Sequence, residues 1–235
     1  MRRLGRAIRQ DTAFQFRHGF YHVYALVSIG YAVVLRALPP DLRALLAPPV
    51  IFSDPGIIGF FLVAAMILLE RGQGVLDVIF VTPLRLHEYL LAKVVSIALL
   101  ATASSVAIVL LTFGLAFRPL PLLAGAALTA AFFTLFGLAL SCRARSLTDF
   151  LILGPWPAGV FLLPVLEHLD VVPASPLLGL LPGRASLALL GGALTGLGTR
   201  EWLASLLSLG AWTALAYLWA HRRFTRFVVL REAGR

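Results

Sequence analysis

Between Phe20 and Ala220, apolar stretches of bilayer length follow one another with only short polar breaks. A helix needs about 20 apolar residues to cross roughly 30 Å of hydrocarbon. Within lipid each backbone N–H and C=O must find a partner, which a helix supplies from its own turns. Composition agrees: 13% of residues are charged and 60% hydrophobic, against about 25% and 45–50% in a soluble domain. Such a chain lacks the charge to keep a water-facing surface. The expected fold is all-α, a polytopic membrane protein, with residues 1–235 forming one transmembrane domain.

Six spans are expected, at residues 20–38, 49–69, 94–117, 122–141, 150–166 and 202–220. Pro39-Pro40 closes the first. In the second, Asp54-Pro55 resembles an N-cap followed by proline at the first helical position, so regular helix is expected from Pro55 and an extended entry over 49–53. Arg118, Pro119 and Pro121 turn the third span tightly into the fourth. Pro155, Pro157 and Pro164 break the fifth, because each removes a backbone donor. Residues 171–198 are apolar but cut by prolines and glycines, which fits a re-entrant or interfacial hairpin. The N-terminal stretch, with Arg2, Arg3, Arg6 and Arg9 opposite Leu4, Ala7, Ile8 and Phe14, reads as an amphipathic surface helix whose apolar stripe faces lipid.

The net charge of +9 is carried by arginine apart from the single Lys93. With six spans and an inside N-terminus, only Arg36, Arg43, Arg118, Arg184 and Arg200 of the 20 Lys and Arg fall outside. That distribution obeys the positive-inside rule and puts both termini in the cytoplasm of a multi-pass cell-membrane protein, taken as bacterial. The basic charge therefore serves topology and lipid head groups, not nucleic acid. Cys142 is alone, so no internal disulfide forms. His18 and His22 stand at helical ligand spacing without a nearby carboxylate, and no metal site is expected.

The segment 70–93 between spans two and three is the most informative. It holds Glu70, Arg71 and Gly74, then a short apolar helix through Val75, Leu76, Asp77, Val78, Ile79 and Phe80 to Val81, then Thr82-Pro83 opening the next helix. An apolar helix outside the bilayer needs a partner or the membrane surface to cover it. The residues alone equally fit a plain interfacial loop, with Glu70 and Arg71 capping a helix and Thr82-Pro83 making a turn.

The order Glu-Arg-x-x-Gly, an apolar stretch, Thr-Pro, then Glu-Tyr-Leu-Leu-x-Lys (ending Glu88 to Lys93) resembles the loop of type-2 ATP-binding-cassette (ABC) exporter permeases. Asp54-Pro55 with Gly59 and the basic N-terminal elbow are similar to the same family, nearest its fluoroquinolone-export subgroup. The local resemblance covers roughly 54–96. It implies a cytoplasmic coupling helix seated in a groove of an ABC ATPase subunit, with Glu70, Arg71, Gly74, Asp77, Thr82, Pro83, Glu88 and Lys93 among its elements. It also implies a second half-permease, identical or homologous, and a substrate cavity lined by spans two and five. Candidates for that lining are Phe60, Phe61, Ala64, Met66, Trp156, Pro157 and Phe161. An apolar aromatic lining suits amphipathic drugs or lipids, although the same residues also suit faces packed on lipid or on other helices.

The energy source is narrowed by elimination. A P-loop needs Gly-Lys-Ser/Thr, whereas Lys93 is followed by valine. ATP and Mg are therefore expected on the partner subunit, and this chain is expected to bind no cofactor. Ion-coupled transporters keep ionisable residues inside the bilayer. Here Asp54, Glu167 and His168 are expected toward the outer ends and Glu70 and His221 toward the inner ends. A non-transporting anchor or assembly subunit would share this topology. A membrane-embedded enzyme would need clustered polar residues at one depth.

Overall fold

The computed structural model describes residues 2–74 and 85–233, with side chains over 3–74 and 85–226. Six described segments are long and apolar enough to cross a membrane: Phe20–Ala37, Pro40–Gly72, Leu86–Phe113, Pro119–Ser141, Leu147–His168 and Thr199–Arg226. Among the described residues there is no strand.

The N-terminal helix α1 (Arg2–Arg17) is joined to α2 (Phe20–Ala37) through Gly19, whose φ of 77° is left-handed and costs a glycine little. The face of α1 carrying Ala7, Asp11, Phe14 and Gln15 packs on the third span, so the expectation of a lipid-facing stripe is corrected. Asp11 and Gln15 lie on that same stripe, and only protein partners can satisfy them.

Span two departs most from expectation. Helix α3 (Pro40–Ser53), a π-helical turn (Asp54–Ile58) and α4 (Gly59–Gly72) run on without an extended segment. At 33 residues the element is about 50 Å long. Pro48 and Pro49 sit inside it. Pro49 has no N–H to give the Leu45 carbonyl, and the ring of His168 lies against that carbonyl instead, Nε2 to O 3.2 Å. At Pro55 the missing donor is absorbed by widening the turn, and the Gly59 N–H bonds back to Asp54 O. Asp54 consequently lies fourteen residues from Pro40 and eighteen from Gly72, near the middle of its span and not toward the outer end.

Helices α5 (Leu86–Phe113) and α6 (Pro119–Ser141) form the expected tight hairpin, turning at Gly114 with φ 67°. Helix α6 is the axis of the bundle and packs against α4, α5 and the last two helices of the chain. Lipid supplies no hydrophobic drive between helices, so close approach at small residues does the work. A Cβ on Gly137 would stand 2.7 Å from Val63 Cγ1 and 2.8 Å from the Phe60 carbonyl oxygen.

Span five is broken where its prolines fall, into α7 (Leu147–Leu153), α8 (Pro155–Gly159), a 3₁₀ turn (Val160–Leu162) and α9 (Leu163–His168). Next come α10 (Pro176–Gly179) and α11 (Pro182–Thr195). At 14 residues α11 measures about 21 Å, too short to cross. It packs on α3, α6 and the last helix, and Thr129 Oγ1 donates to Ser186 Oγ at 2.8 Å. Helix α12 (Thr199–Ala233) carries the basic C-terminal stretch as continuous helix.

Gly137→Val should cost about 1–3 kcal/mol through overpacking and lower the melting temperature in detergent. Gly30→Val, at a position with open space around it, should leave the melt within experimental error. Equal melts for the two variants would contradict the described α4–α6 contact.

Candidate functional site

Helical spacing brings three elements to one point. On α5, Tyr89, Lys93 and Ser96 recur at i, i+4 and i+7, and on α1 Asp11 and Gln15 recur at i and i+4. Lys93 is fully buried; its Nζ donates to Asp11 Oδ1 at 2.6 Å and to Glu70 Oε1. Tyr89 Oη donates to Glu70 Oε2 at 2.7 Å, and Gln15 Nε2 to Ser96 Oγ at 2.9 Å. The Phe14 and Tyr89 rings lie 5.8 and 5.3 Å from Nζ, within cation–π range. Phe224 of α12 packs on Tyr89 at 5.7 Å. Burial pushes the Asp11 carboxyl above its ordinary range, with Lys93 pulling the other way.

This node ties α1 to the last turn of span two and the first turns of span three, the two elements flanking residues 75–84. Beside it, Arg71 donates to Ala144 O at 2.7 Å and Ser141 O at 3.2 Å, fixing the end of α4 to the end of α6. Glu88 accepts from the Arg85 backbone N–H at 3.0 Å and caps α5. Gly74, with φ 70°, takes the chain out of α4.

Further along the bundle, spans two and five enclose an apolar groove of about 330 Å³ lined by Phe52, Ser53, Ile57, Gly159, Leu162 and Leu166 among others. Its volume falls at the small end of the drug-sized range. Behind it an aromatic column runs through Phe150, Phe60, Phe136, Phe161 and Trp212, with successive ring centroids 4.9 to 6.1 Å apart.

The described residues thus form six apolar spans with a charged node at one end and an apolar groove between spans two and five. Comparison with known families gives the identity of such a bundle: residues 2–232 match the fluoroquinolones export permease protein family. The chain belongs to that family. Two curated relatives, the fluoroquinolones export permease proteins of two Mycobacterium tuberculosis strains, are each 31% identical over 202 residues, covering 86% of this chain and 85% of theirs. The resemblance drawn from the 54–96 motifs is thereby borne out, and the match extends over the whole bundle.

In this permease Glu70, Arg71, Glu88 and Lys93 converge at one end of the bundle, whereas Val75, Leu76, Asp77, Val78, Ile79, Phe80, Thr82 and Pro83 lie outside the described residues. Glu70 and Lys93 are buried and hold the ends of the loop from within. Of the expected path residues, Phe60, Ala64 and Met66 are buried against neighbouring helices, Phe61 and Phe161 are half-buried in the aromatic column, and Trp156 is 80% exposed beside an exposed Pro157. None of the seven lines the groove between spans two and five. Phe52, Ser53, Ile57 and Leu162 do, and the first two belong to the 49–53 segment that was expected to be extended. Asp11 was missed as well, although an acidic residue on the apolar face of an arginine-rich helix was a visible signal.

Lys93→Met leaves two carboxylates buried without their cation and should cost about 3–5 kcal/mol. Adding Glu70→Gln should recover part of that loss in detergent melts. Asp11 holds its proton more tightly when folded than when unfolded. Its share of the stability is therefore greatest below the ordinary value of 3.8 and is lost as pH rises through the raised value. Asp11→Asn should flatten that part of the melting profile.

Proposed function

We propose that this chain is the transmembrane half of an ATP-driven exporter, moving amphipathic drugs out of the cell. Two such halves, identical or homologous, would pair over two cytoplasmic ATPase subunits that hold ATP and Mg. Both termini and the node face the cytoplasm, consistent with the arginine distribution. The observation that carries this reading is the buried Asp11–Lys93–Glu70 node. Residues 75–84 join the span that holds Glu70 to the helix that holds Lys93, so a displacement there would bear on span two, span three and α1 at once.

Energetically, an ATPase can drive the permease only by contacting two of its conformations unequally. A coupling of about 1.4 kcal/mol corresponds to one factor of 10. The groove between spans two and five offers the substrate apolar surface and one hydroxyl, that of Ser53. That lining favours flat, largely apolar drugs over sugars or peptides. The two mycobacterial relatives are fluoroquinolones export permeases, and fluoroquinolones carry a planar ring system of this kind.

The tagged chain, isolated from its native membranes in mild detergent, should bring down a P-loop ATPase in stoichiometric amount. Serine replacements across Val75 to Val81 should abolish that association without changing membrane insertion. Glu70→Gln should leave the complex assembled but lower drug-stimulated ATP hydrolysis roughly tenfold, the loss of one such coupling step. Ile57→Trp, which fills the groove, should lower fluoroquinolone export while basal hydrolysis persists. Intact permease that crosslinks to no ATPase in the membrane would sink the reading.

A further inference from the structure

Near the middle of span two the structure holds a second ionisable group, and the coupling node does not use it. Asp54 is fully buried, and neither carboxylate oxygen has a hydrogen-bond partner. It opens the π-helical turn, and the residue after it is Pro55, which has no N–H to offer. An intramembrane carboxylate is costly and as a rule functional, and π-turns gather at functional sites.

The surroundings are polar but without charge. Ser28 of α2 and Ser104 of α5 share a hydrogen bond of 2.5 Å, and Ser104 neighbours the Asp54 carboxylate. The buried hydroxyls of Tyr24, Ser105 and Thr134 have no partner. Those of Tyr24 and Thr134 converge beside Gly59, one turn on, where a Cβ would lie 3.9 and 4.0 Å from them. The π-turn packs against α3, α4, α5 and α6. Helix α6 has no charged residue. The charged and titratable residues of α3 and α4 are Asp41, Arg43, Glu70 and Arg71, all near the two ends of the span. Those of α5 are His87, Glu88, Tyr89 and Lys93, all in its first third, and Lys93 is held by Asp11 and Glu70. Among the described residues Tyr24 of α2 is the titratable group facing Asp54, and Tyr31 Oη of the same helix accepts from the neighbouring Ser53 Oγ at 3.0 Å.

A bare carboxylate in such a place needs a positive partner, since burial of an uncompensated charge is prohibitive. Among the described residues no protein cation faces it. None of the described cavities is lined by Asp54, and the groove between spans two and five takes Phe52, Ser53 and Ile57 from other faces of the same turn. Of the possible positive partners a proton is the smallest, and it sits on the carboxylate itself.

We propose that Asp54 is an intramembrane proton-binding site. A carboxylate oxygen forms an O–H bond with a proton taken from water when the surrounding helices are parted, and the neutral group donates it to Ser104 once they close. Ser28 Oγ donates to the Tyr24 carbonyl at 2.7 Å, so in the short contact Ser104 is the donor to Ser28, and its lone pairs are free to accept from Asp54. No electrons move and no other reactant is required. The bound proton lets α2, the π-turn, α5 and α6 meet without water between them, whatever drives the permease.

Infrared spectroscopy of the purified chain in lipid nanodiscs at neutral pH tests this directly. The wild-type protein should show the carbonyl band of a buried carboxylic acid, lost in Asp54→Asn and retained in Asp41→Asn. Asp54→Asn keeps the shape and neutrality of the protonated group, so it should fold and melt like the wild type. Should Asp54→Asn fail to fold, the band's upshift on Ser104→Ala, which removes the acceptor, gives the same answer. An unchanged spectrum in Asp54→Asn would show the carboxylate to be ionised and overturn the proposal. So would a melting temperature that rises with sodium or potassium in the wild type but not in Asp54→Asn, because the occupant would then be a metal cation.

Discussion

Lys93 is the chain's one lysine, and the end of the bundle that carries α1 is built around it. A lysine ammonium is a compact charge with three donors, suited to two carboxylates that approach from different helices, where an arginine fork would favour one. Buried ion pairs seldom add net stability over well-packed apolar residues, but removing one member is severe. The node therefore fixes position more than it adds stability. With Asp11 and Glu70 bound, α1 sits in one register on α5, and span two ends where span three begins. For Asp11 the loss of solvent outweighs the pull of Lys93, and the second carboxylate, Glu70, adds a smaller push in the same direction as burial.

Arginine does comparable work at several chain turns. Arg43 donates to the carbonyls of Leu35, Arg36 and Leu38 at 2.9 to 3.0 Å, closing the end of α2. Arg71 does the same for the end of α6. Helix ends leave carbonyls without partners, and a guanidinium reaches several at once while its charge complements the helix dipole. At the end of the bundle opposite α1, Arg184 pairs with Glu167 beside a cavity of about 360 Å³. The positive-inside count and these contacts are compatible, because a residue placed for topology still has to satisfy its donors somewhere.

Much of the fold was legible because hydropathy records what lipid demands. All six spans, the tight α5–α6 turn and the proline-broken span five follow from run length and breaker residues. The sites of error share one cause. Pro48, Pro49 and Pro55 read locally as breakers, yet His168 lies against one freed carbonyl from 123 residues away and a π-turn absorbs another loss. Lys93 and Glu70 read as loop residues, and only the contact of Lys93 with Asp11, 82 residues distant, makes a buried site of them. Periodicity reports which face is apolar but not which partner will cover a polar residue on it. The loop motifs pointed to the family, whereas the groove between spans two and five depended on a backbone path that local propensity misjudged.

The position of Asp54 also changes how the energy source is argued. Elimination of ion coupling depended on an empty midplane, and span two is long enough to bring Asp54 there. An ATP-driven reading now stands on family membership and on the anchoring of the loop ends by Glu70 and Lys93. These two lines concern the α1 end of the bundle, whereas Asp54 concerns its middle, and the same helices connect them. Tyr89, Lys93 and Ser104 lie along one helix, α5, and Glu70 and Asp54 along one span. A push delivered to Glu70 and Lys93 shifts span two against α5, and the Asp54–Ser104 contact lies across that boundary. The energetically costly group therefore sits where relative motion would first be felt, and a neutral carboxyl there would let the boundary slide without dragging a charge through hydrocarbon.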